Sequence, residues 1–378
     1  MLDLKEFDCT GCTACYNSCP KAAIQMIEDA EGFKFPKIDT DKCVNCGLCE
    51  LVCVPKNGYS KKNTYPIKVF AAKNRNLSER KESQSGGAFF VLAKFILSQN
   101  GVVYGAALDG DFIARHERAD NKNDVKRFRG SKYVQSDLGD VFKQVKTDLK
   151  DGRYVLFSGT PCQIAGLKAY LGNTEYEKLY LIDLICHGVP SPKVWRDYLV
   201  WHSAQGNGKP SGISFRYKSR IIKWGTHYEA FYFRKRKKIY NIYAKLFYSH
   251  NILRKSCYSC KFSNLQRVSD ISIGDYWGIE NVNEAFRDEY GVSAILINSP
   301  KGEDLFEKVQ SQFDHIETTV EQVIKKNPNL KKSTNRPKSR ETFWEDYEKG
   351  FDFVAKKYGG WTIIGRLKLF VKRILKKY

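Results

Sequence analysis

Eight cysteines near the N-terminus fall into two runs of identical spacing, and little else restricts a fold so tightly. "CTGCTACYNSCP" holds Cys9, Cys12, Cys15 and Cys19; "CVNCGLCELVC" holds Cys43, Cys46, Cys49 and Cys53. Both read C-x2-C-x2-C-x3-C, and each cysteine of the second run lies 34 residues after its counterpart, so the segment is an internal duplication. Three cysteines at intervals of three wrap the backbone around one iron–sulfur cube, with main-chain amides turned toward the sulfurs. The fourth, on the short helix that follows, faces away and reaches the other cube. Cys9, Cys12, Cys15 and Cys53 are therefore assigned to one 4Fe-4S cluster, and Cys43, Cys46, Cys49 and Cys19 to a second. Zinc sites usually pair two C-x2-C arms instead. Pro20 follows Cys19 directly, as in bacterial-type runs; after Cys53 the proline is displaced to Pro55, a small departure.

These runs predict a bacterial-ferredoxin-like domain over residues 1–60. The whole chain of 378 residues is long enough for two or three domains, and 42% hydrophobic residues are ordinary for a folded protein. No apolar run reaches membrane-spanning length, and the N-terminus lacks the basic start and apolar stretch of a secretory signal. A cytoplasmic setting is the expectation, so twelve cysteines are read as ligands or catalysts before disulfides. The formal charge of +21 is uneven: residues 1–58 carry six lysines against nine acids, a balance of −3. The basic remainder points to anionic partners or to a lysine-rich soluble surface, and thiolate-bound clusters would offset part of the excess.

After a polar linker at "PKNGYSKKNTYP" the pattern becomes mixed strand and helix. "IKVFAAKN" reads as a strand, and "SGGAFFVLAKFILSQN" as a helix opened by Ser85 and two glycines. "GVVYGAALD" and "FIARHERA" predict a hairpin, and "RYVLFSGTPCQIAGLKAYL" predicts strand, turn and helix with Pro161 in the first helical turn. "KLYLIDLICHGVPSP" is a buried strand ending in a Cys–His–Gly turn; "ISFRYKS", "HYEAFYFRK" and "VSAILINSP" add further strands. The fold class is α+β: the ferredoxin-like domain, a mixed α/β domain over 66–300, and a helical, basic extension over 301–378. Four cysteines remain, Cys162, Cys186, Cys257 and Cys260, all at predicted loops or element ends. They could converge on a third 4Fe-4S cluster. Equally open from spacing alone are a buried apolar role for Cys186, a redox dithiol at Cys257 and Cys260, and zinc with His187 or His250.

Several stretches of the body resemble the beta subunits of coenzyme F420-reducing hydrogenase and formate dehydrogenase. They are "SQSGGAF", "GVVYGAALD", "FRGSKYVQSDLG", "SGTPCQIAGLKAYL", "LIDLICHGVPSP", "CYSCKF" and "DISIGDYWG". With the ferredoxin runs the resemblance covers roughly residues 1–300. It implies a flavin, usually FAD, in the central domain, a cluster on that domain's cysteines, and hydride exchange with coenzyme F420 as substrate. Carried over by motif, the cluster falls on Cys162, Cys186, Cys257 and Cys260. Flavin contacts fall on Ser85, Gly86 and Gly87 and on Arg129, Gly130, Ser131, Lys132 and Tyr133. Adjacent glycines at a helix start admit a ring or phosphate, and Arg129 and Lys132 suit a pyrophosphate or an anionic ring. An ordinary helix cap and a solvated loop are the plainer readings of the same residues. No G-x-G-x-x-G follows the first strand, so a Rossmann-type site is not indicated. No catalytic residue is assigned; His187 is a candidate proton shuttle or a structural histidine.

The expected activity is that of an iron–sulfur flavoprotein oxidoreductase. It would pass electrons between ferredoxin, another one-electron carrier or a partner protein and a small-molecule hydride donor or acceptor. The alternatives are a ferredoxin-dependent reductase of a specific metabolite without F420, and a non-catalytic electron-transfer subunit. A nucleic-acid-binding role lacks any recognisable motif. In 361–378, Ile363, Leu367, Phe370, Val371, Ile374 and Tyr378 share one helical face and lysines and an arginine the other. Such a helix docks on its own domain or a partner, or lies on an anionic membrane surface, which would make the protein peripheral to the inner face.

Overall fold

The computed structural model describes residues 8–58, 64–172, 174–219, 221–234, 236–365 and 367. The two cysteine runs flank an antiparallel hairpin, β1 (Ile24–Glu28) and β2 (Lys34–Ile38). The body is built on eight strands. In chain order these are β3 (Lys68–Asn74), β4 (Val102–Leu108), β5 (Ala114–Ala119), β6 (Val155–Gly159) and β7 (Leu179–Leu184). Then come a small separate sheet of β8 (Gly212–Ser214), β9 (Glu229–Phe233) and β10 (Arg236–Tyr240), and the large-sheet strands β11 (Ile271–Asp275), β12 (Ser293–Ile297) and β13 (Phe313–Thr318). The large sheet has the order β13-β3-β12-β11-β7-β6-β4-β5.

Four adjacent strands, β11, β7, β6 and β4, run parallel, and every other pairing is antiparallel. The sequence shows why. β6 and β12 are buried at every residue, as strands covered on both faces must be, whereas edge strand β5 mixes buried and exposed positions. Helices Ala88–Ser98 and Pro300–Val309 cover one face through Phe90, Leu92, Leu305 and Phe306. Helices Val141–Lys150 and Pro161–Leu171 cover the other through Phe142, Val145, Ile164 and Leu167, and the ferredoxin-like segment packs onto that layer with Cys12, Ala14, Val52 and Val54. A third, aromatic cluster of Trp195, Tyr198, Phe231 and Tyr243 supports the small sheet.

Three expectations change. The body does not stop near residue 300: Pro300–Val309 and β13 complete the large sheet and its core, because β13 pairs with β3. The extension expected to be helical is not one helix: within it "ETFWEDYEKGFDFVAKKY" forms two, Arg340–Tyr347 and Phe351–Lys357, since Gly350 at φ +92° separates them. Ser85 does not cap the Ala88–Ser98 helix. Gly87, in the left-handed region, holds that position, and Ser85 Oγ donates to Val292 O at 2.7 Å. Of the basic C-terminal helix, all but 361–365 and 367 lies outside the described residues. Among the described residues no helix is long and apolar enough to cross a membrane.

Candidate functional site

The N-terminal cysteines surround two cavities. Cys9, Cys12, Cys15 and Cys53 line one, with Met26 and Pro36 from the hairpin. Cys19 lines the other with Cys43, Cys46 and Cys49. The helix Ala14–Ser18 makes the exchange: Cys15 lies in its first turn and Cys19 caps its end, so the two sulfurs serve opposite cavities. The duplication is visible in the backbone as well. Gly11 and Thr13 are left-handed in the first run, and so are Asn45 and Gly47, each 34 residues on. The first cavity's four cysteines are buried, whereas Cys46 of the second is exposed. Among the described residues no group of three Cys, His, Asp or Glu side chains is arranged to hold a single metal ion. Four cysteines around each cavity are a donor set that fits a 4Fe-4S cluster.

The four remaining cysteines also meet. Cys162, Cys186, Cys257 and Cys260 line one cavity together with Thr10 of the first cysteine loop. β6 and β7 are parallel neighbours, so the residues just past their carboxyl ends, Cys162 in the first helical turn and Cys186 in the Cys–His–Gly turn, emerge side by side. The other pair comes from the 3-10 turn Lys255–Ser259, held against the turn after β7 by the Arg254 N–H to Val189 O bond. Burial, reinforced by neighbouring thiols, pushes Cys186 and Cys257 up to about 12 and Cys162 up as well; such thiols become good ligands only beside a strong cation. His250, considered as a zinc ligand, does not line this cavity; His187 does.

Beyond His187 opens a well-formed recess, a cavity of about 330 Å³ at the carboxyl ends of β6, β7 and β11, where open α/β sheets bind ligands. Seven of the eight residues expected at a flavin line it: Ser85, Gly87, Arg129, Gly130, Ser131, Lys132 and Tyr133. Gly86 does not, and its glycine has another cause. A Cβ there would lie 2.1 Å from Ala72 O and 2.6 Å from Ser293 N, so the residue admits strands β3 and β12 rather than a ligand. Gly130, at φ +81° with open space where a Cβ would project, does face the void. Arg129 pairs with Glu82 at 2.7 Å and lies over Phe90, while Lys132 donates to Arg127 O and Arg129 O; burial lowers Lys132 to about 7. Tyr133 stacks on Phe247 at 4.6 Å.

Sequence reasoning missed three members of this wall. Arg216 is 4% exposed and forks onto Asp275, which also accepts from Trp224 Nε1 at 2.6 Å; the pairing holds the Arg216 guanidinium charged. His116 Nε2 faces Ser158 O at 3.0 Å and Nδ1 faces Ser136 Oγ at 2.9 Å, which assigns the proton to Nε2. Burial lowers this ring to about 4. The signals were there, since Asp275 lies in "DISIGDYWG" and Arg216 in the basic–aromatic stretch "FRYKS", but a β-hairpin pattern accounts equally well for the latter. Arg216 Nε and Arg129 Nε are buried without an acceptor. Two unsatisfied guanidinium donors at the wall fit a ligand bearing anionic or carbonyl groups, as a flavin does.

Three of these cavities share walls. Thr10 borders both the Cys9 cavity and the Cys162 cavity. Cys186, His187, Gly188 and Val189 border both the Cys162 cavity and the large recess.

Residues 152–322 match the family described as the C terminus of the coenzyme F420 hydrogenase/dehydrogenase beta subunit, and residues 8–57 match a 4Fe-4S dicluster domain. Over 67 residues the chain is 36% identical to an uncharacterised ferredoxin of Methanocaldococcus jannaschii, covering 18% of this chain and 84% of that one. A solved structure of the F420-reducing [NiFe] hydrogenase complex from Methanosarcina barkeri aligns at 17% identity and a TM-score of 0.49, covering 75% of this chain and 93% of that chain.

Proposed function

From the premise that this chain belongs to the coenzyme F420 hydrogenase/dehydrogenase beta-subunit family, with a 4Fe-4S dicluster domain ahead of it, we propose an iron–sulfur flavoprotein oxidoreductase. In this reading it moves electrons between a one-electron carrier and a flavin that exchanges hydride with F420 or a similar acceptor. The supporting observation is the succession of cavities from the exposed Cys46 loop inward to the large recess.

Cys9, Cys12, Cys15 and Cys53 would hold one 4Fe-4S cluster, Cys19, Cys43, Cys46 and Cys49 a second, and Cys162, Cys186, Cys257 and Cys260 a third. FAD would lie against Arg129, Gly130, Ser131, Lys132 and Arg216. When bound, the flavin would supply hydride exchange and the clusters single-electron steps. The chain's own residues do the rest. Arg129 and Arg216, whose buried Nε–H groups have no acceptor, would donate them to the ligand. Asp275 keeps Arg216 charged and fixed, and the Trp224 indole N–H fixes Asp275. Phe247, Tyr248 and Trp277 line the recess and exclude water from it. At the outer end, Val44 and Leu51, 58% and 73% exposed, flank the second cysteine loop and give an electron carrier or a partner protein its apolar landing.

Anaerobic purification and metal analysis test this. About twelve iron and matching sulfide per chain, with a yellow flavin spectrum, are expected. Bleaching by reduced F420 supports the reading as stated. Bleaching by reduced ferredoxin alone transfers it to a reductase of some other metabolite, and iron without flavin leaves an electron-transfer subunit. Protein lacking iron and sulfide overturns it.

A further inference from the structure

Arg254 is 1% exposed, yet its guanidinium meets no carboxylate among the described residues. Nε donates to Cys9 O at 2.7 Å, one terminal nitrogen to Gln135 Oε1 at 3.0 Å, and the other to Lys34 O at 3.0 Å. All three acceptors are neutral. The Phe35 ring lies 4.2 Å from the guanidinium carbon and Phe33 closes another side. Other deeply buried arginines here do have an acid: Arg267 pairs with Asp183, Arg216 with Asp275 and Arg340 with Glu31. A buried cation held only by neutral dipoles is costly, so its counter-charge is to be sought in what the surrounding groups bind.

Its location supplies the answer. Gly11, inside the first cysteine loop at φ +69°, leaves room for the guanidinium: a Cβ there would meet one terminal nitrogen at 3.1 Å and the carbon at 3.2 Å. On the other side, Arg254 O accepts from Cys257 N at 2.9 Å, and Arg254 N donates to Val189 O. The residue therefore touches the loop of the Cys9 cavity through its side chain and the loop of the Cys162 cavity through its backbone. It has no such contact with the outer Cys43–Cys49 loop. Four thiolates around a cubane leave a net negative charge, and two such groups would bracket this one cation.

We propose that Arg254 is a positioning residue whose buried charge sets the potentials of the two inner clusters, and whose fork fixes the gap between them. This rests on the cluster reading above. A nearby uncompensated cation favours the more negative, reduced form of each cluster and so raises its reduction potential. The outer cluster, farther from this charge, receives no such increment.

The experiment is an EPR-monitored redox titration of the holoprotein, with iron counted first, for wild type, Arg254→Lys and Arg254→Gln. Both substitutions dismantle the fork, but only lysine keeps the charge. Arg254→Gln is expected to lower the midpoints of the two inner clusters by about tenfold in the reduction equilibrium, 59 mV for one electron. Arg254→Lys should stay near wild type, and the outer cluster should not move in either. Full iron with unmoved inner midpoints in Arg254→Gln overturns the inference. If Arg254→Gln fails to load, a loaded Arg254→Lys still supports the charge, whereas loss of iron in both reduces Arg254 to a structural clamp. Iron-free wild type sinks the cluster reading itself, a distinct result.

Discussion

Gly166 faces Cys12 so closely that a methyl group on it would lie 2.8 Å from the Cys12 Cβ and 2.9 Å from its sulfur. One helical turn earlier on the same helix is Cys162. A single helix thus presses on the first cysteine loop and supplies a sulfur to the inner cavity, so its seating sets how near the two cysteine sites stand. Gly166→Ala is expected to cost about 1–3 kcal/mol through overpacking and to slow electron passage between the two sites. Thermal unfolding, together with single-turnover reduction of the inner centre, checks this.

The crossed grouping of the ferredoxin cysteines has a distinctive consequence. Cys53→Ser should disable the same centre as Cys9→Ser, and Cys19→Ser the same centre as Cys43→Ser, although each pair is split between the two runs. Cys257→Ser should spare both and lower iron from about twelve to about eight per chain. EPR spectra paired with iron counts check the pattern; Cys53→Ser behaving like Cys43→Ser would refute it.

Among the described residues, Arg267 and Asp183 form the most deeply buried ion pair, at 2% and 0% side-chain exposure. Arg267 also donates to Ser272 Oγ, Phe262 O and Leu184 O, tying β7 and β11 to the segment after Cys260. Asp183→Asn leaves that guanidinium short of its charge partner and should destabilise the fold by about 3–5 kcal/mol. Loss of iron from the inner site alone is expected at lower denaturant than in wild type.

Glu229, 1% exposed, accepts from the Tyr198 hydroxyl and the Tyr243 amide, and its other oxygen has no donor. Burial raises this carboxyl to about 7, so the folded protein holds its proton more tightly than the unfolded chain does. Its contribution is full below the unfolded value of about 4.3 and is lost as pH climbs to about 7, a decline of roughly 4 kcal/mol. Glu229→Gln should flatten that decline. Urea unfolding followed by tryptophan fluorescence at pH 5 and pH 8 measures it, Trp195 and Trp201 belonging to the same aromatic cluster.

Elements rich in apolar residues, such as β6, β7 and the Ala88–Ser98 helix, were legible because deep burial leaves its mark along most of their length. β13 was not, since a half-exposed edge strand at 313–318 reads like any polar segment until β3 is there to pair with it. Gly86 shows the reverse case. Its motif predicts a ligand contact, but it does not line the recess and instead relieves crowding between β3 and β12, a demand that is not visible before β12 is in place; its neighbour Ser85 lines the recess while bonding Val292 O.

Spacing along the chain determined the crossed grouping of the eight N-terminal cysteines, because intervals of three residues and one short helix limit where each sulfur can point. The inner site was decided elsewhere. Arg254 reaches Cys9 across 245 residues and Arg216 reaches Asp275 across 59, and no periodicity encodes contacts at such separations. They exist because parallel strands in the order β11-β7-β6 bring their carboxyl ends to one edge, where side chains remote in sequence become neighbours and burial gives their charges and hydrogen bonds strength.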